Sequence, residues 1–195
     1  MFKDILLGIL WAFLVSTLFH FPLTFSWVLL GILFALLPDI DFFVEYFKRG
    51  TVGGKTLGAH RMLTHIPLLF VPLGLILFFL FGSAVTLLFA LGIIGHFLHD
   101  SRGMGYGYRF FYPFDKHFYK FFSDSEGHVS YAARDFLRRW SESEVRTLHQ
   151  RFGNDNWIRD DWKWHKKHLP ALLLKLLAFC AILACLSLLF KALPL

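Results

Sequence analysis

Charged positions divide the chain into blocks. No Asp, Glu, Lys or Arg occurs between Asp4 and Asp39 or between Arg61 and Asp100, and Leu169 to Leu195 holds only Lys175 and Lys191. Apolar runs of this length predict helices within a bilayer. As one helix Ile5 to Leu37 would be about 50 Å long, against a hydrocarbon core of about 30 Å. Proline removes a backbone donor and disfavours helical geometry in the residue before it. The run is therefore expected to break at His20-Phe21-Pro22 into two short helices, Ile5 to Phe19 and Leu23 to Leu37. Ile66 to His99 repeats the pattern with a weaker break at Gly82-Ser83, and Leu169 to Phe190 is long enough to cross once. No small-residue cleavage site precedes Phe21-Pro22, so the first helix is expected to be retained.

Composition agrees with this pattern. Of 195 residues, 56% are hydrophobic and 17% charged, and Phe alone contributes 25; a soluble domain carries about a quarter charged residues. Lys and Arg total 20 against 14 acids. If both long runs are hairpins, the N-terminus, Pro38 to His65 and Asp100 to His168 share one side, and 18 of the 20 bases lie in these pieces. The positive-inside rule places that side in the cytoplasm. The expected fold is all-α: an integral membrane helical bundle of two short hairpins plus a C-terminal transmembrane helix, with a cytoplasmic interfacial helical segment. Its regions are a membrane-embedded domain over 1–122, a basic helical segment over 123–168 and the last helix over 169–195. Cys180 and Cys185 lie in one apolar block without zinc-ligand spacing, so no disulfide framework is expected.

Between the second hairpin and the last helix the character changes. Gly103 to Phe122 mixes glycines, aromatics and bases, which suits the headgroup level of a membrane. Single-stranded nucleic acid is bound by similar mixtures, but beside membrane helices no nucleic-acid partner is expected. Ser141-Glu142-Ser143-Glu144 fits a capping box that opens a helix to about Phe152, with Val145, Leu148 and Phe152 on one face.

Polar residues at the ends of apolar helices are costly and therefore informative. Three groups occur: Pro38-Asp39-Ile40-Asp41, His60-Arg61-Met62-Leu63-Thr64-His65, and His96-Phe97-Leu98-His99-Asp100. In the hairpin topology all arrive at the cytoplasmic face. His96 and Asp100 are one helical turn apart, as two ligands of one metal should be. Imidazole nitrogen with carboxylate oxygen suits zinc, manganese or iron, and the lack of Cys speaks against a purely structural zinc site. A single Asp at a helix end is commonly a cap and a single interfacial His merely amphipathic; four His and three Asp converging are not accounted for in that way.

Leu-Pro-Asp-Ile-Asp, His-Arg-x-x-Thr-His and His-x-x-x-Asp, in this order, resemble the YdjM-like family of inner-membrane-associated, predicted metal-dependent hydrolases, over roughly Leu23 to Phe122. The resemblance implies roles for Asp39, Asp41, His60, Arg61, Thr64, His65, His96 and Asp100. His99 stands where the family usually has an apolar residue, as an extra ligand or a group behind the ligands. Members often carry a His near the N-terminus; this chain has Met1-Phe2-Lys3-Asp4, which makes Asp4 a candidate replacement. Ile66 replaces the Ser that commonly follows the second motif.

Two glycine motifs fail. Gly50-Thr51-Val52-Gly53-Gly54-Lys55-Thr56 has Arg49 where a phosphate loop needs its first Gly, and no strand precedes it. Gly103-x-Gly105-x-Gly107 follows an apolar helix and not a strand, so a tight turn over the metal site is expected there. The leading reading is a membrane-bound hydrolase at the cytoplasmic face of the inner membrane, acting on a phosphoester of a lipid or lipid-linked substrate. Its divalent metal, zinc foremost, would be held by Asp39, Asp41, His60, His65, His96, His99 and Asp100. Asp41, as bridging ligand or general base, and Arg61 are its catalytic residues. The rival reading is a non-catalytic metal carrier, or a scaffold recruiting a cytosolic partner through Ser130 to His168. A carrier should hold its polar residues near the bilayer midplane, whereas these cluster at helix ends.

Overall fold

The computed structural model describes residues 2–58, 60–62, 64–101 and 105–192, with backbone alone at 184 and 186–192. Helix α1 (Phe2–Leu18) ends before the expected break and α2 (Phe25–Leu36) follows it. Between them His20 takes a left-handed backbone (φ 56°). Thr24 caps α2 by accepting from the Trp27 amide (3.3 Å), and the Trp27 indole donates to Ala12 O (3.0 Å), closing the hairpin. The helices touch backbone to backbone: a Cβ on Gly8 would lie 2.5 Å from Ile32 Cα, and one on Gly31 would lie 2.4 Å from Gly8 O. Any larger residue at either position would force them apart.

After α2 a 3-10 turn, Leu37–Asp39, leads into α3 (Ile40–Arg49). The second apolar run forms α4 (Phe70–Asp100), interrupted at Gly82 by a conformation open essentially to glycine alone (φ 79°, ψ −174°). The limb 70–81 folds back on 83–100, since the Phe70 ring lies 5.9 Å from Phe97 and 6.2 Å from Phe89. In a straight helix Phe70 and Phe97 would be about 40 Å apart. The end of α1 that carries Asp4, the turn after α2 that carries Asp39 and the end of α4 that carries Asp100 therefore meet at one end of the bundle, and both hairpin tips lie at the other. Phe25–Arg49 and Pro67–Asp100 are long and apolar enough to cross a membrane by length and composition, and only 22% and 6% of their apolar windows are buried within the protein.

The polar module is not all helical. Strands β1 (Phe118–Phe121) and β2 (Leu137–Trp140) pair antiparallel, with Phe118 opposite Trp140 and Lys120 opposite Arg138. Alternation turns Phe118 and Lys120 inward, so this part of the aromatic and basic tract is core and not headgroup surface. Lys120 is tolerated inside because its ammonium donates to Gly105 O (2.8 Å) and Gly127 O (2.7 Å). Helix α5 (Glu142–Phe152) carries the capping box between Ser141 and Glu144. Val145 and Leu148 pack toward Phe118 and Trp140, whereas Phe152 stays exposed. Helix α6 (Trp157–Ala192) runs unbroken through Pro170, so the expected division between 168 and 169 falls within one helix.

Candidate metal centre

The site is built on Asp41. Its buried carboxylate accepts from His60 Nδ1 (2.9 Å), the Arg61 amide (3.0 Å), the Thr64 amide (3.2 Å) and His65 Nδ1 (3.4 Å). A segment without regular structure thus wraps around one side chain of α3, and Arg61 adopts a left-handed backbone (φ 67°) to present its amide. Thr64 Oγ1 also donates to Pro38 O (2.5 Å), tying the segment to the turn before α3. One turn further along α3 the buried Glu45 accepts from the Gly53 amide (2.8 Å) and from the His60 amide and the Arg49 guanidinium. Glu45 was not among the expected site residues. Its signal was available, because a carboxylate four residues after Asp41 falls on the same helix face.

Both oxygens of Asp41 are occupied from behind the histidines, which leaves His65 Nε2 directed forward. It lies 3.5 Å from Asp39 Oδ1, 3.4 Å from Asp100 Oδ2 and 3.4 Å from His96 Nε2. His96 is oriented in the same way: its Nδ1 faces Ala35 O (2.9 Å) and Asp4 Oδ1 (3.1 Å). Its Nε2 then lies 3.7 Å from Asp39 Oδ1 and 3.8 Å from Asp100 Oδ2. With each Nδ1 facing an acceptor, the neutral form of either imidazole would hold its proton there and leave Nε2 to bind a cation, and the two Nε2 atoms face each other between two carboxylate oxygens.

Such a convergence of acceptors needs a positive charge. Burial by itself would lower the pKa of His65; hydrogen bonds to Asp100, Asp39 and Asp41 outweigh it and push the imidazole up to about 10. A cation between the same atoms would serve the same purpose. Donors around a tetrahedral zinc at about 2.0–2.2 Å lie roughly 3.3–3.6 Å from one another, close to the 3.4–3.8 Å found here. Three overlapping groups of potential ligands share this space: Asp39 with His60 and His65, His65 with His96 and Asp100, and Asp4 with Asp39 and His96. These residues could hold a metal ion, and two nitrogens with two oxygens do not select among zinc, manganese and iron.

The structure brings together the candidates from all three motifs. His99 lies at the edge, its Nδ1 3.6 Å from Asp4 Oδ1 and 3.7 Å from Asp100 Oδ1. Asp4 is 1% exposed and reaches the centre from α1. Arg61 is partly buried, with Nη2 3.0 Å from Asp100 Oδ2, while its Nη1 is buried and has no hydrogen-bond partner among the described residues. Gly105 borders it, since a Cβ there would fall 2.7 Å from Nη1. Gly103, the first glycine of that stretch, lies outside the described residues.

A family model described as the YdjM inner membrane protein matches residues 1–192. The chain therefore belongs to this family of inner membrane proteins, and the likeness extends well beyond the stretch from Leu23 to Phe122 that carries the motifs. No curated protein and no solved structure matches the chain.

Proposed function

We propose that this protein is a metal-dependent hydrolase of the inner membrane, acting at the cytoplasmic interface on a phosphoester of a lipid or lipid-linked substrate. The observation that carries this reading is the meeting of His65 Nε2, His96 Nε2, Asp39 Oδ1 and Asp100 Oδ2 within 3.4–3.8 Å contacts, beside a buried guanidinium nitrogen with no partner among the described residues. These four side chains would hold the ion, zinc being our first choice and manganese or iron fitting the same donors. A divalent cation there supplies Lewis-acid polarisation of a substrate oxygen and acidifies water.

The remaining work falls to the chain's own residues. Asp41, with both oxygens engaged, is a positioning residue that fixes the tautomers of His60 and His65. His60, backed by Asp41 at Nδ1, can take a proton from attacking water at Nε2, in the manner of a carboxylate-oriented imidazole base. Arg61 Nη1 binds a phosphoryl oxygen and stabilises the negative charge that grows on it. Exposed apolar side chains on the helices, such as Phe25, Phe79 and Leu177, support a bilayer around the bundle, and the distribution of bases supports a cytoplasmic site.

The test is incubation of metal-loaded wild type and Arg61→Ala with phospholipids and lipid-linked phosphates in mixed micelles, with products detected by mass spectrometry. Wild type is expected to give a metal-dependent product. Arg61→Ala should keep its metal and lose turnover by about 10²–10³-fold, the usual effect of removing one electrostatic donor. No metal-dependent product across the panel would return the carrier or scaffold reading.

A further inference from the structure

Helix α3 presents two unlike faces. Asp41 and Glu45, both 1% exposed, point into the metal centre and its supporting loop. Ile40, Phe43, Val44 and Phe47 occupy positions i, i+3, i+4 and i+7 on the other side, and all are exposed, Phe47 by 83%. Water is a poor neighbour for such a stripe on a helix whose opposite face is committed to polar work. The stripe is not isolated. Leu29 and Leu33 are exposed on α2, and the spacing 29, 33, 40, 43/44, 47 carries one helical face across the turn at Pro38.

Lengths point to the same neighbour. Alone, α2 has 12 residues, about 18 Å, well short of a hydrocarbon core of about 30 Å. In a family of inner membrane proteins a span this short brings the element after it to the headgroup boundary, and the outer face of α3 presents apolar side chains there.

We propose that the outer face of α3 is a lipid-contact surface: Ile40, Phe43, Val44 and Phe47 lie at the boundary between headgroups and acyl chains, so that Asp41 on the inner face holds the metal centre at headgroup depth. The partner is the bilayer itself and not a second copy or a soluble protein. The inference rests on the membrane placement in the proposed function but not on catalysis. It adds that an amphiphile's polar head meets the site without leaving the lipid phase.

The experiment is a nitroxide scan. In a Cys180→Ser/Cys185→Ser background, single cysteines replace Phe43, Phe47 and Lys55, and each labelled protein is placed in phosphatidylethanolamine/phosphatidylglycerol vesicles with its metal content checked. Accessibility to oxygen and to a water-soluble nickel chelate reports depth. Positions 43 and 47 should favour oxygen and lie roughly 5–10 Å below the phosphates, while Lys55, exposed on the loop, should favour nickel. Nickel accessibility at position 47 equal to that at 55 would overturn the proposal. So would spin–spin coupling between copies at 43 or 47, which would show a second copy covering the face. Neither outcome touches turnover, so a failed lipid surface and a failed hydrolase remain distinguishable. Because Phe43 and Phe47 are exposed, labelling there should leave the fold intact.

Discussion

Replacing Asp41 by Asn keeps the shape of the side chain and changes its hydrogen-bond capacity. Oδ2 receives the Arg61 and Thr64 amides and His65 Nδ1, and Oδ1 receives His60 Nδ1 alone. The Asn carbonyl will take the Oδ2 position, because two amides already donate to it, and the NH₂ will then face His60 Nδ1. Two donors cannot share that contact, so His60 must move its proton to Nε2, and the negative charge behind both imidazoles is lost. His65 keeps a carbonyl acceptor at Nδ1 but loses the carboxylate charge behind it, and such a change behind a ligating imidazole costs up to about 10–100-fold in metal affinity, or about 1.4–2.8 kcal/mol at 1.4 kcal/mol per decade. Loss of a hydrogen bond to a charged acceptor also costs about 1.5–3 kcal/mol of fold stability. The assay is competition of metal-stripped, detergent-purified Asp41→Asn against a chromophoric chelator, with a thermal melt of the metal-free form alongside. A dissociation constant within twofold of wild type, together with a lowered melting temperature, would refute the reasoning: Asp41 would then hold the fold without orienting the histidines for a metal.

Two further outcomes follow from the same structure. In a variant lacking Cys180 and Cys185, a cysteine at Gly53 should be shielded from an impermeant thiol reagent in intact cells and one at Phe21 should react; the reverse pattern would invert the topology. His149, whose Nδ1 donates to Gly54 O (2.7 Å), is held below the ordinary imidazole value of 6.5, chiefly by burial. The unfolded chain therefore binds the proton more readily, so the stability contributed by neutral His149 is present above about pH 6.5 and is lost as the pH falls through the lower folded value. Melting temperatures between pH 5 and 7.5 should fall more steeply toward acid in wild type than in His149→Gln; parallel curves would count against this.

What the chain discloses by itself depends on the range of the interactions. The charge-free blocks, Pro22 and Gly82 act within a few residues, so both hairpins were legible, as was the Ser141 to Glu144 capping box. The three His/Asp motifs were legible because each stands at the end of an apolar run and the hairpins bring those ends together. Asp41 was legible as a site residue, but not its place behind the histidines, which depends on how 60–65 wraps around it. Lys120 disguised β1: a lysine at an inward position contradicts strand alternation unless Gly105 O and Gly127 O are already known to receive it. The apolar block that begins at Leu169 suggested a boundary there, yet Pro170 removes only one donor and the turns on either side carry α6 through. Asp4 meets His96 only through the packing of α1 on α4, which no local spacing expresses.

The central claim is that Asp39, His65, His96 and Asp100 hold a divalent metal. Elemental analysis of detergent-purified protein, before and after reconstitution with zinc, manganese and iron, tests it directly. The account predicts at least one tightly held ion per chain in wild type and in His20→Ala, whose substitution lies at the opposite end of the bundle, and its loss from His96→Ala/Asp100→Ala with a lowered melting temperature. Folded wild-type protein that retains no metal after reconstitution, or unchanged metal content in the double variant, would contradict it.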